Sequence, residues 1–455
     1  MVIWCKMKQN QFLEHSIIMA ITNQFNNQLT SQLTSQPPKG TYDWFPEEFR
    51  IRKYIFDTWR QVCTSFGYEE YLTPVFESAE IYRAKSGEDI GGKELMVFTD
   101  KAGRELAIRP EMTPSVTRMV SRIYEGASKP LRLFSIANFV RNEKPQRGRN
   151  REFWQLNLDI FGSRSLQSDV EIAQMCAEIM LAFDAPRESF TIFLNNRKLI
   201  EFILNQVAQV SAEQKVAVVR ILDKSAKLSA DEFNSRLVEV GLNAEQIGNL
   251  SKFINAGSGA DLIAALPEVA ADEGYQETMI IIEHLDKLGY EGIFNFRPNV
   301  IRGFDYYDGM VLEVFDKHPD NQRALFGGGR YNGLGKLFGV AELPAVGVAP
   351  GDETLRLFLE SWNLLGKVKE QQVERYYAPM LDINSAGALQ KLARRLRQEG
   401  KVVELGLELQ KFNKAFDYAN RKHFDYVVIL GDQELTQNVY KLKNMTTGEQ
   451  QDLAL

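Results

Sequence analysis

The chain has 455 residues, too many for one hydrophobic core, so two or three domains are expected. Hydrophobic residues make up 44% and charged residues 25%, an ordinary globular balance; the net charge of −6 excludes a chain that coats nucleic acid through bulk charge, and leaves room for a local basic patch. Isolated cysteines (Cys5, Cys63, Cys176) and scattered histidines (His15, His284, His318, His423) argue against a disulfide framework or a structural zinc site and fit a reducing cytoplasm, and no apolar run approaches the roughly 20 residues that span a membrane.

Residues 1–36, which end in "NQFNNQLTSQLTSQ", are too polar to offset the entropy of ordering and read as a disordered tail. Poor in arginine and carrying Glu14, they fit an organellar targeting peptide badly; Met7 and Met19 leave a later translation start open. From Arg50 to Phe66, Ile51, Tyr54, Ile55, Trp59 and Val62 recur at spacings of three and four, which predicts a helix that Gly67 stops. "YEEYLTPVFE" predicts a strand interrupted by Pro74 and therefore held at an edge. The helix stripe and the edge strand are either core or the contact between two copies of the chain.

"RELAIRPEMTPSVTRMV" predicts a strand over Leu106–Arg109, with Thr113 as the N-cap of a following helix and Pro114 at its first position. Capping leaves Glu111 unexplained. A carboxylate between a strand end and a helix start suits a cationic ligand group such as an α-ammonium. "LRLFSIANFVRNEKPQRGRNREFWQLNLDIFG", residues 131–162, predicts antiparallel strands over Leu131–Val140 and Phe153–Phe161. The long loop between them carries Lys144, Arg147, Arg149 and Arg151 around Gly148; it is a solvated tip or a functional loop. Arg141 and Glu143 sit at the first strand's end. Two-residue alternation puts Gln155, Asn157 and Asp159 on one face of the second, a polar floor of the kind that holds a ligand.

Residues 197–290 predict a helical insert, with "EQKVAVVRILDKSA" and "YQETMIIIEHLDKLGY" as its clearest amphipathic stretches. "NVIRGFDYYDGMVLEVF", residues 299–315, sets Arg302, Tyr306 and Tyr307 in an otherwise apolar, strand-like run. Half-buried tyrosines with a surface arginine are the bland reading, a ligand site the other. "FGGGRYNGL" follows at 326–334. From about Glu374 strand and helix patterns alternate, which predicts an α/β domain with a largely parallel sheet.

Taken in order, these motifs resemble a class II aminoacyl-tRNA synthetase, specifically the histidyl-tRNA synthetase family. The helix with "GYEEYLTPVF" is similar to motif 1, "FVRNE" through "EFWQLNLDIFG" to motif 2, and "VIRGFDYYDG" and "FGGGRYNGL" to the two histidine-specific signatures. The likeness runs from about Pro37 to the C-terminus. It implies an α+β catalytic core with an antiparallel sheet over 37–370, interrupted by a helical insertion at 197–290, and an α/β anticodon-binding domain over 374–455. It implies L-histidine, ATP with Mg²⁺ on its phosphates, and tRNA(His) as substrates, no metal site of the protein's own, and a homodimer built through motif 1.

The resemblance also assigns residues. Arg302, Arg141 and Gln155 become the expected catalytic residues. Arg302 reaches the histidine carboxylate and the α-phosphate of ATP; Arg141 touches both as well, with Glu143 near the adenine. Glu111, Met112 and Thr113, with Gln155, match the positions that hold the α-ammonium. Asp159 receives a ring N–H, and Tyr306 and Tyr307 border the imidazole. The glycines of "FGGGRY" let backbone pass close to the amino acid. Gln146, Arg147, Arg149 and Arg151 face the tRNA acceptor end. The insertion leans on the acceptor arm.

Two features depart from the family pattern. "AVGVAPGDETLRLFLE" has Thr354 where the third class II motif carries an arginine, and Arg356 lies on another helix face. The family's usual last helix is expected to be shortened or missing. The rival reading is a non-catalytic paralogue that regulates ATP phosphoribosyltransferase; it typically lacks the anticodon domain and the signature arginine, both of which this sequence carries.

Overall fold

A computed structural model describes residues 35–84, 89–301, 306–321, 324–370 and 373–455. Most of the expected tail, and Arg302 with its neighbours to 305, lie outside the described residues. Contacts divide the chain into two units, up to Leu365 and Gly366–Leu455.

The first unit opens with α1 (Pro46–Ser65), which has proline in its first turn and Glu47 and Glu48 against the positive end of its dipole. Its stripe is core. Ile55 and Trp59 are at most 1% exposed, and Tyr54 packs edge-on against Phe183 at 5.5 Å. An interface role for this stripe is therefore corrected: the chain buries it against itself.

The expected strand around Pro74 becomes two, in different sheets. β1 (Glu69–Glu70) runs parallel to β5 (Leu131–Val140), whereas β2 (Phe76–Ser78) joins β3 (Met96–Thr99) and β4 (Glu105–Ile108) in a three-stranded sheet, order β2-β4-β3. Pro74 has no N–H to continue either ladder. Arg109 fixes the crossing: its buried guanidinium donates to Thr73 O at 2.9 Å and Asn138 O at 2.8 Å. After the short α2 (Ala79–Arg83), α3 (Thr113–Ser121) starts one residue earlier than expected; Met112, not Thr113, is the N-cap, and no side chain caps it.

β5 pairs antiparallel with β6 (Glu152–Phe161) over its whole length. Then come α4 (Leu166–Leu181), β7 (Phe190–Asn196) and the helical insertion: α5 (Arg197–Phe202), α6 (Ala212–Asp223), α7 (Ala230–Glu239), α8 (Ala244–Ile254), α9 (Gly259–Ala265) and α10 (Glu273–Leu285). Reciprocal side-chain caps, Ser229 with Glu232 and Asn243 with Gln246, start α7 and α8. Leu222, Phe233, Leu237, Leu250 and Phe253 are among the insertion's buried core.

β8 (Phe294–Phe296), β9 (Met310–Asp316), β10 (Ala324–Arg330), β11 (Ala345–Val348) and α11 (Asp352–Ser361) complete the unit. The eight-stranded sheet has the order β1-β5-β6-β11-β10-β9-β7-β8 and is antiparallel except at its two outermost pairs. The strand expected across 299–315 begins only at Met310, so Tyr306 and Tyr307 sit on the approach to β9.

The second unit holds α12 (Gly366–Glu370), β12 (Arg375–Met380), α13 (Ala386–Gln398), β13 (Val402–Leu409), α14 (Phe412–Arg421), β14 (Tyr426–Ile429), α15 (Asp432–Thr436), β15 (Val439–Asn444) and β16 (Gln450–Ala454). Its sheet order is β13-β12-β14-β15-β16, parallel as far as β14 and antiparallel beyond. β16 was not legible in the sequence. The turn that makes it is: Asn444 Oδ1 accepts from Thr446 N and Thr447 N, and Gly448 takes φ +75°.

Candidate active site

The pairing of β5 with β6 sets Leu133 opposite Asp159, Ser135 opposite Asn157 and Ala137 opposite Gln155. Alternation puts these six residues on one face. β11 lies beyond β6 with Gly347 opposite Asp159, and β10 beyond that with Gly329 opposite Gly347. A Cβ at Gly347 would lie 1.9 Å from Asp159 Oδ1, and one at Gly329 would lie 3.0 Å from the Tyr307 ring. These glycines make room for an acid and an aromatic ring. The glycine-rich motif was expected to admit the ligand itself; Gly328 instead lies against the backbone of Gly347 and Val348.

Two buried acids each hold a tyrosine. Tyr331 Oη donates to Asp159 Oδ1 at 2.5 Å, and Tyr306 Oη donates to Glu111 Oε2 at 3.0 Å. The Thr113 hydroxyl hydrogen-bonds the Tyr306 phenol. Tyr306 lies 4.8 Å from Tyr307 and 5.7 Å from Tyr331, centroid to centroid, so one aromatic group joins the two acids. Burial pushes Asp159 up to about 7, against the opposing pull of the Tyr331 hydrogen bond. The Met112 side chain is wholly buried, with Thr73 Oγ1 at 3.2 Å from its sulfur, so only its backbone is left to face a ligand.

Arg141 Nε donates to Pro110 O at 3.0 Å, and its guanidinium stands 5.0 Å from the Phe153 ring. Burial pulls its pKa down, and Glu111, Glu143 and Glu94 offset this only in part. The backbone thus brings Glu111, Thr113, Arg141, Tyr306, Tyr307 and Asp159 to one region, with Gln155 on the same strand face as Asp159.

The loop between β5 and β6 is a built hairpin. Gln146 and Arg149 pair through their backbones, and Gly148 turns the chain at φ +75°. Arg149 pairs with Glu143 at 3.5 Å, Arg151 Nε donates to Glu143 O at 3.2 Å, and Arg151 N donates to Gly40 O. Arg149 and Arg151 therefore tie the loop together, while Gln146 and Arg147 are exposed at its tip. The tip rests on α11, where a Cβ at Gly148 would touch Leu357 and Thr354. An open groove of about 320 Å³ there is lined by Tyr42, Gln146, Arg147, Asn150, Glu353 and Arg356, among others. Thr354 Oγ1 points into the fold and donates to Leu325 O at 2.7 Å; Arg356 is held by Glu353 and Glu360.

One pair escaped sequence reasoning. Arg52 on α1 and Asp352 at the start of α11 form a buried ion pair at 2.5 Å. Asp352 Oδ1 also accepts Trp154 N at 2.9 Å, and the Arg52 guanidinium stacks 3.6 Å over the Trp44 ring. Burial pushes Asp352 up to about 6 although Arg52 opposes it. The available signal was a charged residue, Arg52, on the buried side of α1 three positions before Ile55.

The histidyl-tRNA synthetase family model matches residues 40–355, and an anticodon-binding domain model matches 380–455. A histidine–tRNA ligase of Leptospira biflexa is 39% identical over 90% of this chain and 93% of its own length. Those of Pyrococcus horikoshii and Haloarcula marismortui are 32% and 34% identical over 92% of this chain, and over 96% and 95% of their own lengths. Among solved structures, the histidyl-tRNA synthetase of a Nostoc species superposes with a TM-score of 0.75 at 23% identity, covering 93% of this chain and 97% of that one. An ATP phosphoribosyltransferase regulatory subunit/histidyl-tRNA synthetase of Bacillus halodurans gives 0.70 at 21% identity, covering 87% and 98%. At such identities these two speak to the fold alone. By the family match over most of its length and by its curated relatives, the chain belongs to the histidyl-tRNA synthetase family.

Proposed function

We propose that this chain ligates L-histidine to tRNA(His) in two half-reactions. The histidine carboxylate attacks the α-phosphorus of ATP and pyrophosphate leaves; the tRNA terminal hydroxyl then attacks the histidyl-adenylate and AMP leaves. The observation that carries this reading is the pair of buried acids, Glu111 and Asp159, on either side of one aromatic group. An amino acid with an α-ammonium at one end and a ring N–H at the other fits two such acceptors.

In this reading Glu111, Thr113 and Gln155 hold the ammonium, Asp159 takes the ring N–H, and Tyr306 and Tyr307 wall the ring. Arg141 and Arg302 neutralise the charge that builds on the α-phosphate, and Glu143 lies toward the adenine. A guanidinium is always charged and donates in a fixed fork, so positioning and charge neutralisation do most of the work. Mg²⁺ enters with ATP, as part of the substrate. Among the described residues no group of three or more His, Cys, Asp or Glu is placed to hold a metal ion.

Gln146 and Arg147 at the hairpin tip meet the tRNA acceptor end, with Arg149 and Arg151 shaping the loop that presents them. The helical insertion, 197–290, leans on the acceptor arm, and the unit from about 374 to 455 takes the anticodon. The chain acts as a homodimer. In place of the α1 stripe, the exposed Leu72, Val75 and Phe76, beside Met96, Val97 and Phe98, supply the apolar contact. A reducing cytoplasm suits Cys63 and Cys176, both buried free thiols. No helix among the described residues is long and apolar enough to cross a membrane.

The test is charging of a tRNA(His) transcript with radiolabelled histidine. ATP-dependent accumulation of histidyl-tRNA is expected. The regulatory reading, which Thr354 favours, gives histidine binding without charging.

A further inference from the structure

Between the row of Gln155 and the row of Asp159 runs a third row that the site described so far does not use. Asn157 lies opposite Ser135 on β5. On the other side of β5, Glu69 and Glu70 pair in parallel with Leu133 and Phe134, and Tyr71 N continues that ladder by donating to Phe134 O at 2.8 Å. This register brings Tyr71 beside Ser135. Three adjacent strand segments therefore present a phenol, a hydroxyl and an amide in line, on the face that carries Gln155 and Asp159.

All three polar ends are buried. Ser135 is 0% and Asn157 3% exposed. Tyr71 Oη, Ser135 Oγ and Asn157 Nδ2 are shut off from solvent, and none has a hydrogen-bond partner among the described residues. The Tyr71 ring packs against the cluster that contains Tyr306, Tyr307 and Tyr331, and its phenol feels the Asp159 carboxylate, which with burial drives its pKa up. A buried polar atom without a partner is costly to a fold. Three of them in one row, between two candidate ligand contacts, mark a surface made for a polar ligand.

A neutral imidazole has one N–H and one bare nitrogen on opposite sides of the ring, and the single Asp159 carboxyl can satisfy only one of them, the N–H in the reading above. We propose that Tyr71, Ser135 and Asn157 form the far half of the histidine side-chain pocket, with Tyr71 Oη and Asn157 Nδ2 donating to the ring nitrogen that Asp159 does not hold. Ser135 Oγ, which can donate or accept, bridges the two. This inference rests on histidine being the substrate. It adds discrimination: a ring with carbon in place of the bare nitrogen leaves buried donors unpaired, and such sites reject analogues strongly.

The test is histidine-dependent pyrophosphate exchange with Tyr71→Phe, Ser135→Ala and Asn157→Ala, alongside thermal unfolding. Tyr71→Phe and Asn157→Ala should each raise the KM for histidine about tenfold or more while leaving the KM for ATP within about twofold. Tyr71→Phe should not lower the Tm, because it removes an unpaired buried oxygen and no contact. Wild type should exclude τ-methyl- and π-methylhistidine, and Asn157→Ala should admit one of them. Unchanged histidine KM in both variants, or equal losses for histidine and ATP, overturns the proposal. If Asn157→Ala does not fold, Tyr71→Phe decides alone. Absence of exchange in the wild type would instead remove the ligase reading beneath it.

Discussion

Asp159 is an acid that the fold has made weak. Its pKa rises from the usual carboxylate value to about 7 because burial disfavours the charge. The folded state thus holds a proton that the unfolded state releases near pH 4. The resulting stability is fully present below that pH and is lost as pH rises through about 7. Asp159→Asn, which cannot ionise, should therefore gain on the wild type at pH 8, by a few kcal/mol at most at roughly 1.4 kcal/mol per pKa unit, and gain little at pH 4. Thermal unfolding at both pH values checks the sign; a larger gain at pH 4 would contradict it. The same variant should lose histidine-dependent exchange. At this scale the sequence was legible where one residue broke a local rule. Glu111 was unexplained by helix capping, and Gln155 and Asp159 lay on one face by simple alternation. Tyr71 was not legible, because its place beside Ser135 depends on a parallel pairing between segments far apart in the chain, and without it Ser135 opposite Asn157 was one polar residue on a mostly apolar strand.

Elements show where local pattern ends and packing decides. Pro74 was rightly read as an interruption, yet a proline does not say that the segments before and after it enter different sheets. The α1 stripe fixed the helix but not the surface it covers. The Arg52–Asp352 pair ties α1, β6 and α11 together, and removing one partner of a buried pair leaves a charge stranded. Asp352→Ala should cost about 3–5 kcal/mol, and the Arg52→Met/Asp352→Leu double variant should recover most of that. Urea unfolding of both single variants and the double variant measures it; additive losses would contradict the pairing. The hairpin makes a separate prediction. Arg147→Ala should weaken tRNA charging for every acceptor sequence and reduce its salt dependence, whereas Gln146→Ala should blunt discrimination among acceptor ends. Neither should change histidine-dependent exchange. Equal loss of both half-reactions would mean that the tip serves the ATP site.

At the scale of the whole molecule, the order of units was legible because each is marked by its own short pattern: the basic hairpin, the amphipathic helices of the insertion, and the strand–helix alternation after Glu374. What joins copies of the chain was not, since an apolar stripe reads alike whether it faces a neighbour or the chain's own core. In the proposed dimer the exposed Leu72, Val75 and Phe76 take that role. Sedimentation at micromolar concentration should show a two-fold symmetric dimer, and Leu72→Asp/Phe76→Asp should leave monomers; a wild-type monomer would contradict it. The central claim is that this fold activates histidine with ATP. Its most direct measurement is pyrophosphate exchange with histidine present and absent, in wild type and Arg302→Ala. Exchange that requires histidine, and that falls by well over about tenfold in the variant, is the predicted result. Exchange without histidine, no exchange in the wild type, or near-normal exchange in Arg302→Ala would contradict it.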